Sequence, residues 1–271
     1  MNNTLGKVYL VGAGPGDPGL LTLKGKECLE LADVVIADYL ANPVLLGYTR
    51  PGVESVQLGR RGTPEYLSQE AITTLMITRA RAGQQVVRLK NGDPFLFGRG
   101  GEEAAALAAN GILFEIVPGV SSAIACPAYL GIPVTHRHYA SQVTIVTGHE
   151  DPSQPESDIG WAALARQGGT LVIVMGLRTF PSILASLLAH GKPPTTPIAL
   201  ISNGTLPTQR AIIGTLGEIE AQFAEAALEP PVTAIIGEVV RLHPHLRWGN
   251  NGSPLESEMP VPPEFPAPFR R

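Results

Sequence analysis

Short β-branched runs alternate with segments whose apolar residues recur every three or four positions. This alternation constrains the fold of the 271-residue chain more than any other feature. Runs at 7–11, 34–37, 86–90 and 114–117 predict strands, and the segments 20–31, 65–81 and 101–109 predict helices between them. After Pro118-Gly119 the pattern changes. Strands are expected at 143–147, 171–175, 198–202, 210–215 and 233–240, in a mixed or antiparallel arrangement. The clearest helix of this half is 180–190, with Pro181 early and Gly191 just past its end. The expected fold class is therefore α/β in two domains, 5–118 and 119–248, with the break near 118–122. Beyond 248 the chain fills with Pro, Gly, Ser and Glu, so 249–271 is expected to be a disordered tail without a catalytic role. The sequence contains no internal repeat.

Composition narrows the function classes. A formal net charge of -4 gives no global drive toward nucleic acid, so any anion binding must come from a local cluster of cations. The two cysteines, Cys28 and Cys126, lie in apolar surroundings and read as buried thiols, not as a disulfide framework. There is no charged-then-apolar leader and no apolar run of about 18 residues, which leads us to expect a soluble cytoplasmic protein without a membrane span.

The densest chemistry lies in Val86-Val87-Arg88-Leu89-Lys90-Asn91-Gly92-Asp93-Pro94-Phe95-Leu96-Phe97-Gly98-Arg99-Gly100-Gly101-Glu102-Glu103. An apolar run ends in a Gly-Asp-Pro turn, where backbone groups can approach a ligand closely. Arg88, Lys90 and Arg99 place positive charge beside the single carboxylate of Asp93. That combination suits two ligands of opposite sign, one cationic and one polyanionic.

A second Gly-rich turn, Val11-Gly12-Ala13-Gly14-Pro15-Gly16-Asp17-Pro18-Gly19, follows the first strand. It fails the dinucleotide fingerprint because Asp17 stands at the third glycine and Pro15 stiffens the turn. It fails the P-loop pattern as well, since Gly25-Lys26 is followed by Glu27. An acid at a helix entry competes with phosphate for the same amides, so a ligand without phosphates fits better. Asp38 closes the second strand, where a carboxylate points either into a ligand crevice or into a cap of its own turn. Gly59-Arg60-Arg61-Gly62 suits fork-like carboxylate recognition or a solvated loop. His136 and His138 flank Arg137 without an acidic or thiol partner at useful spacing, so no metal is expected. Ser121 and Ser122 follow the Pro-Gly turn, and small residues end later strands at Gly148, Met175-Gly176 and Asn203-Gly204. These strand ends suggest a shared rim and a cleft between the halves.

Taken together, segments 12–17, 88–103, 118–123, 132–137, 147–149 and 207–210 resemble the tetrapyrrole methylase family, over about residues 7–248. Within that family the 93–103 string resembles the branch that methylates uroporphyrinogen III. The resemblance implies a homodimer of two-domain subunits with S-adenosyl-L-methionine held between the domains and S-adenosyl-L-homocysteine released. It implies that 5–118 carries the Gly-rich loop and substrate trough while 119–248 completes the cofactor site. It assigns cofactor contacts to Pro15, Asn91, Gly92, Asp93, Leu96, Ser121, Ser122, Met175 and Gly204. It makes Asp38 the proton acceptor and Arg60 the counterpart of a lysine proton donor. Eight substrate carboxylates would face Arg60, Arg61, Arg88, Arg99 and Arg137. The implied reaction is methylation at C2 and C7, through precorrin-1 to precorrin-2.

Three residues depart from the family pattern. Asn91 replaces a glycine and is expected to adopt the left-handed conformation that asparagine tolerates. Arg60 replaces the lysine, and arginine stays protonated. Tyr39 replaces a common arginine. The competing readings are a sister methyltransferase for another acceptor, a nicotinamide-dependent dehydrogenase and a non-catalytic tetrapyrrole carrier.

Overall fold

The structure, a computed structural model, describes residues 5–150, 152 and 158–248. The expected tail at 249–271 lies outside the described residues. Contacts divide the chain into two compact units that part between Ser121 and Ser122.

In the first unit the elements run β1 (Lys7–Gly12), α1 (Leu23–Leu31), β2 (Val34–Ala37), β3 (Glu54–Gln57), α2 (Gln69–Arg81), β4 (Val86–Lys90), α3 (Gly100–Ala109) and β5 (Leu113–Val117). The five strands form one sheet in the order β3-β2-β4-β1-β5, and every pairing is parallel. A parallel sheet must be covered on both faces, and the period of two along each strand sorts its side chains accordingly. Val8, Leu10, Val34, Ile36 and Val86 pack with Ile72, Met76 and Leu107 of α2 and α3. Val11, Val35, Ala37, Val87 and Leu89 pack with Cys28 and Leu29 of α1 on the other side. Helix α1 starts later than the periodicity predicts because a 3-10 turn, Pro18–Leu20, comes first, and the Thr22 hydroxyl then accepts the Gly25 N–H at 3.0 Å. Ser68 caps α2 in the same way, accepting from Ala71 N–H at 3.2 Å.

The second unit runs α4 (Ser122–Tyr129), β6 (Val143–Thr147), α5 (Trp161–Arg166), β7 (Thr170–Val174), α6 (Phe180–Ala189), β8 (Pro197–Ser202), β9 (Arg210–Thr215), α7 (Ile219–Ala226), β10 (Val232–Ile236) and α8 (His243–Leu246). Its sheet has the order β6-β7-β10-β8-β9. Only β6 and β7 run parallel; β10 is antiparallel to both its neighbours and β9 to β8, the mixed sheet expected from the sequence. One face carries a core built with Trp161, Phe180, Ile183, Leu187 and Ile219, while α4 packs against β7 and β10.

Differences among the strands have local causes. Strand β3 was not foreseen, since Glu-Ser-Val-Gln carries one apolar residue and lies at a sheet edge. Strand β7 stops at Val174 because Met175 turns left-handed, with φ 59°. Strand β10 stops at Ile236, where Gly237 takes φ 139° and leads into a 3-10 turn over Glu238–Leu242. No helix of the described residues is long and apolar enough to cross a membrane.

Candidate active site

Because every strand of the first sheet points the same way, the loops after β1, β2, β4 and β5 emerge at one edge, where open parallel sheets bind ligands. These loops are tied to each other through their backbones. Ala13 N–H donates to Lys90 O at 2.7 Å, and Gly14 and Gly92 exchange N–H···O bonds at 3.2 and 2.8 Å. Three glycines meet at the centre. A Cβ on Gly119 would lie 2.2 Å from Gly92 O, and one on Gly12 would lie 2.5 Å from the Gly119 backbone. Only residues without side chains allow this approach.

Asp93 organises the turn after β4. One carboxylate oxygen accepts Phe95 N–H at 2.8 Å and Leu96 N–H at 3.1 Å, and the other accepts Gly119 N–H at 3.0 Å. Asp17 acts similarly after β1, accepting Gly19 N–H at 2.7 Å. Both acids thus occupy amides that a phosphate would need. The left-handed position of the 91–93 turn is Gly92, at φ 66°, and not Asn91 as expected. With its amide nitrogen turned toward them, Asn91 instead donates to the Gly14 and Leu40 carbonyls at 3.3 and 3.2 Å. Past the turn, Phe97 and Arg99 both take positive φ as the loop curls around the Pro94 carbonyl, which accepts Gly100 N–H at 3.0 Å. Strained non-glycine residues of this kind concentrate at ligand-binding loops. Pro15 is buried within the first turn, while Leu96 is half-buried.

Asp38 lies at the end of β2 beside a cavity of about 430 Å³. Ala37, Tyr39, Asn42, Leu58, Gly59 and Glu65 help to line it. The side chain of Asp38 is 27% exposed. One of its oxygens pairs with the guanidinium of Arg88, and the other accepts Asn91 N–H at 3.1 Å. The carboxylate is therefore held from two sides while its face stays open to the cavity.

Arg88 and Lys90 require a correction. The sequence reading placed them as cations beside a ligand, with Arg88 binding substrate. Their side chains are 3% and 2% exposed. Positions 86, 88 and 90 share the face turned to α2 and α3, so both cations point into the core. There they meet Glu103, which is fully buried: Arg88 Nε donates to it at 3.2 Å and Lys90 Nζ at 3.1 Å. Gln69 adds a third donor at 3.0 Å. Burial, and secondarily the adjacent Arg88, holds the Lys90 ammonium below the usual lysine range. Glu103 and Gln69 were not singled out from the sequence. The available signal was that Glu103 falls on the buried seam of α3 with Gly100, Ala104 and Leu107, a position normally apolar.

The remaining candidate arginines, Arg60, Arg61, Arg99 and Arg137, are exposed. Arg60 and Arg61 sit on the loop after β3, where Gly59 allows a close turn in which a Cβ would lie 2.1 Å from Thr63 Oγ1. Arg99 forms a two-pronged pair with Glu102 at 3.0 and 2.6 Å. Arg137 lies at the tip of a tight turn in the second unit, closed by His136 and Ala140 with N–H···O bonds of 2.8 and 2.9 Å. Among the described residues no cluster suited to a metal ion is present.

Within the second unit, register places the ends of β6, β7 and β8 and the start of β10 together: Thr147 is paired with Val174, Val174 with Thr233, and Val232 with Ser202. The residues that follow therefore share one rim. Gly148 packs on Gly176, Met175 projects with 52% of its surface exposed, and Asn203-Gly204-Thr205 turns through left-handed backbone at Asn203 and Thr205. Gly204 is buried against α4, where a Cβ would lie 2.3 Å from Cys126 Sγ. Ser121 and Ser122, at the junction of the units, are both half-buried.

A parallel sheet with Gly-rich loops whose amides donate to Asp17 and Asp93, followed by a mixed sheet with its own small-residue rim, defines a class of two-unit α/β proteins. The family profile described as tetrapyrrole (corrin/porphyrin) methylases matches residues 7–220, and the chain belongs to that family. It is 46% identical over 243 residues to a protein of Methanosarcina barkeri named S-adenosyl-L-methionine-dependent uroporphyrinogen III methyltransferase, covering 90% of this chain and 95% of that one. It is 47% identical over 243 residues to the siroheme synthase of Acinetobacter baylyi, again over 90% of this chain but only 53% of the relative, so it spans about half of that longer protein. Among solved structures, uroporphyrin-III C-methyltransferase of Thermus thermophilus complexed with S-adenosylhomocysteine superposes with a TM-score of 0.74 at 39% identity. That match covers 88% of this chain and all of the other.

Proposed function

We propose that this chain transfers methyl groups from S-adenosyl-L-methionine to C2 and C7 of uroporphyrinogen III. The product would be precorrin-2, reached through precorrin-1, with two S-adenosyl-L-homocysteines released. The observation that carries the reading is the occupation of loop amides by Asp93 and Asp17, which disfavours phosphates and suits a ligand without them, such as S-adenosyl-L-methionine. The names of the relatives in Methanosarcina barkeri and Thermus thermophilus support it independently.

In this reading Pro15, Asn91, Gly92, Asp93, Leu96 and Ser121 of the first unit hold the cofactor together with Ser122, Met175 and Gly204 of the second. The bound cofactor supplies a methyl group on a sulfonium, a strong electrophile toward an electron-rich pyrrole carbon. The protein's part is chiefly alignment, since the pyrrole needs no strong base to react. Asp38 accepts the proton that the macrocycle loses after each transfer. Arg60 serves as a fixed cation and not as a proton donor, because a guanidinium does not give up its proton near neutral pH. Arg61, Arg99 and Arg137 meet substrate carboxylates. Arg88 acts from below, through Asp38, and not on the substrate. Domains 5–118 and 119–248 divide the work, the first forming the trough and the second completing the cofactor site. A homodimer, implied by the family resemblance, and a cytoplasmic location, expected from the sequence, belong to this reading.

Counting released S-adenosyl-L-homocysteine against consumed uroporphyrinogen III under anaerobic conditions tests the proposal. A ratio of two supports it. Binding of the tetrapyrrole without release would point to a carrier and reject the enzyme.

A further inference from the structure

We infer that Glu103 is a positioning residue for the methylation reaction: it locks the guanidinium of Arg88, which in turn fixes the carboxylate of Asp38 at the cavity. The inference rests on the reading of Asp38 as the proton acceptor.

A central strand of a parallel sheet normally fills both faces with apolar side chains. Here β4 turns Arg88 and Lys90 into the α2/α3 face, the same face as Val86. Replacing such buried ion groups by apolar residues of similar volume is often neutral or stabilising, so fold stability alone does not account for them. What they reach does. Arg88 bonds to Glu103 through Nε at 3.2 Å, to the Ile36 and Leu89 carbonyls through Nη1 at 3.2 and 3.3 Å, and to Asp38 through Nη2. Four bonds fix the plane of the guanidinium. Glu103 is itself held by Lys90 and by Gln69. The chain of bonds starts between α2 and α3, and of its charged side chains only Asp38 lines the cavity. Asn91 N–H secures the second Asp38 oxygen, so the orientation of the carboxylate is set by Arg88 and Asn91 together. Small misplacements of a reacting group are costly, about a hundredfold for an error near 1 Å.

The test is steady-state methylation by the full chain, with uroporphyrinogen III and S-adenosyl-L-methionine, in a double-mutant cycle between positions 103 and 38. Glu103→Met combined with Lys90→Met keeps the net charge and roughly the volume. It is expected to lower kcat about tenfold to a hundredfold with both KM values within about twofold. Glu103→Gln, which still offers an acceptor to Arg88 Nε, should recover part of that loss; it also carries the cycle where the methionine pair fails to fold. Added to Asp38→Asn, either change should cost nothing further, because it acts through Asp38. Losses that add in full overturn the positioning role while leaving Asp38 in the mechanism. An Asp38→Asn variant with unchanged kcat overturns the reading of Asp38 and this inference with it.

Discussion

Asp93 and Gly119 are joined across the rim of the first sheet by a 3.0 Å bond from the Gly119 amide to a carboxylate oxygen. The loop after β4 is thereby anchored to the loop after β5. The other oxygen of Asp93 closes its own turn through Phe95 and Leu96. One side chain thus sets the shape of two loops that the proposed cofactor site uses.

Asp93→Ala removes three hydrogen bonds to a charged acceptor at a partly exposed site. We expect a loss of about 2 kcal/mol in stability, and at least a tenfold weaker Kd for S-adenosyl-L-homocysteine. Urea unfolding and calorimetric titration measure the two effects separately. A variant that is destabilised but binds normally would confine Asp93 to a structural role.

Gly119→Ala tests the backbone contact from the other side. Its new Cβ would lie 2.2 Å from Gly92 O, a main-chain atom that cannot swing away. The turn must open, and calorimetric titration should show cofactor affinity falling by tenfold or more. Gly101→Ala is the control, since a Cβ there meets nothing within 4 Å.

Arg60 and Arg61 are exposed on one loop, and Arg60 is assigned a fixed charge without proton transfer. Arg60→Lys should therefore retain most activity. Arg60→Met and Arg61→Met should each raise KM for uroporphyrinogen III about tenfold, with a smaller change in kcat. A collapse of kcat in Arg60→Lys would show that the guanidinium does more than carry charge.

Cys126 gives a pH signature. Burial pushes its thiol up to about 11, against a weaker opposing hydrogen bond from Thr233. The unfolded chain loses this proton near its ordinary value of 9.0 while the folded chain keeps it. Stability from this group is full below pH 9 and is lost as pH rises toward 11. A gap of about two pH units corresponds to roughly 3 kcal/mol. The urea midpoint of the wild-type chain should fall across that window, and Cys126→Ala should flatten the fall. Equal slopes would reject the assignment. Native Cys126 should also resist alkylation at pH 8 and react once the chain is unfolded.

The two-sheet architecture was legible in the sequence because strands such as 34–37 and 198–202 are apolar along all or nearly all their length and are bounded by turn residues. Strand β3 was not, because an edge strand with one inward position leaves almost no pattern. The rim was legible at the Gly-Asp-Pro turn, whose residue types admit few other conformations. The roles of its charges were less so. Arg88 and Lys90 read as ligand-facing because charged residues rarely enter a core, and the compensating acid stands 15 and 13 positions further on. Pairing across that distance follows from how α3 packs on β4, which spacing along the chain does not encode. Asn91 was likewise expected at the left-handed position, but Gly92 occupies it and frees the Asn91 amide to tie two loops together.

The most direct measurement is the mass of the tetrapyrrole recovered after anaerobic incubation of the purified chain with uroporphyrinogen III and S-adenosyl-L-methionine. The account predicts a gain of two methyl groups. A substrate recovered at its original mass, from protein that still binds S-adenosyl-L-homocysteine, would contradict the assigned acceptor.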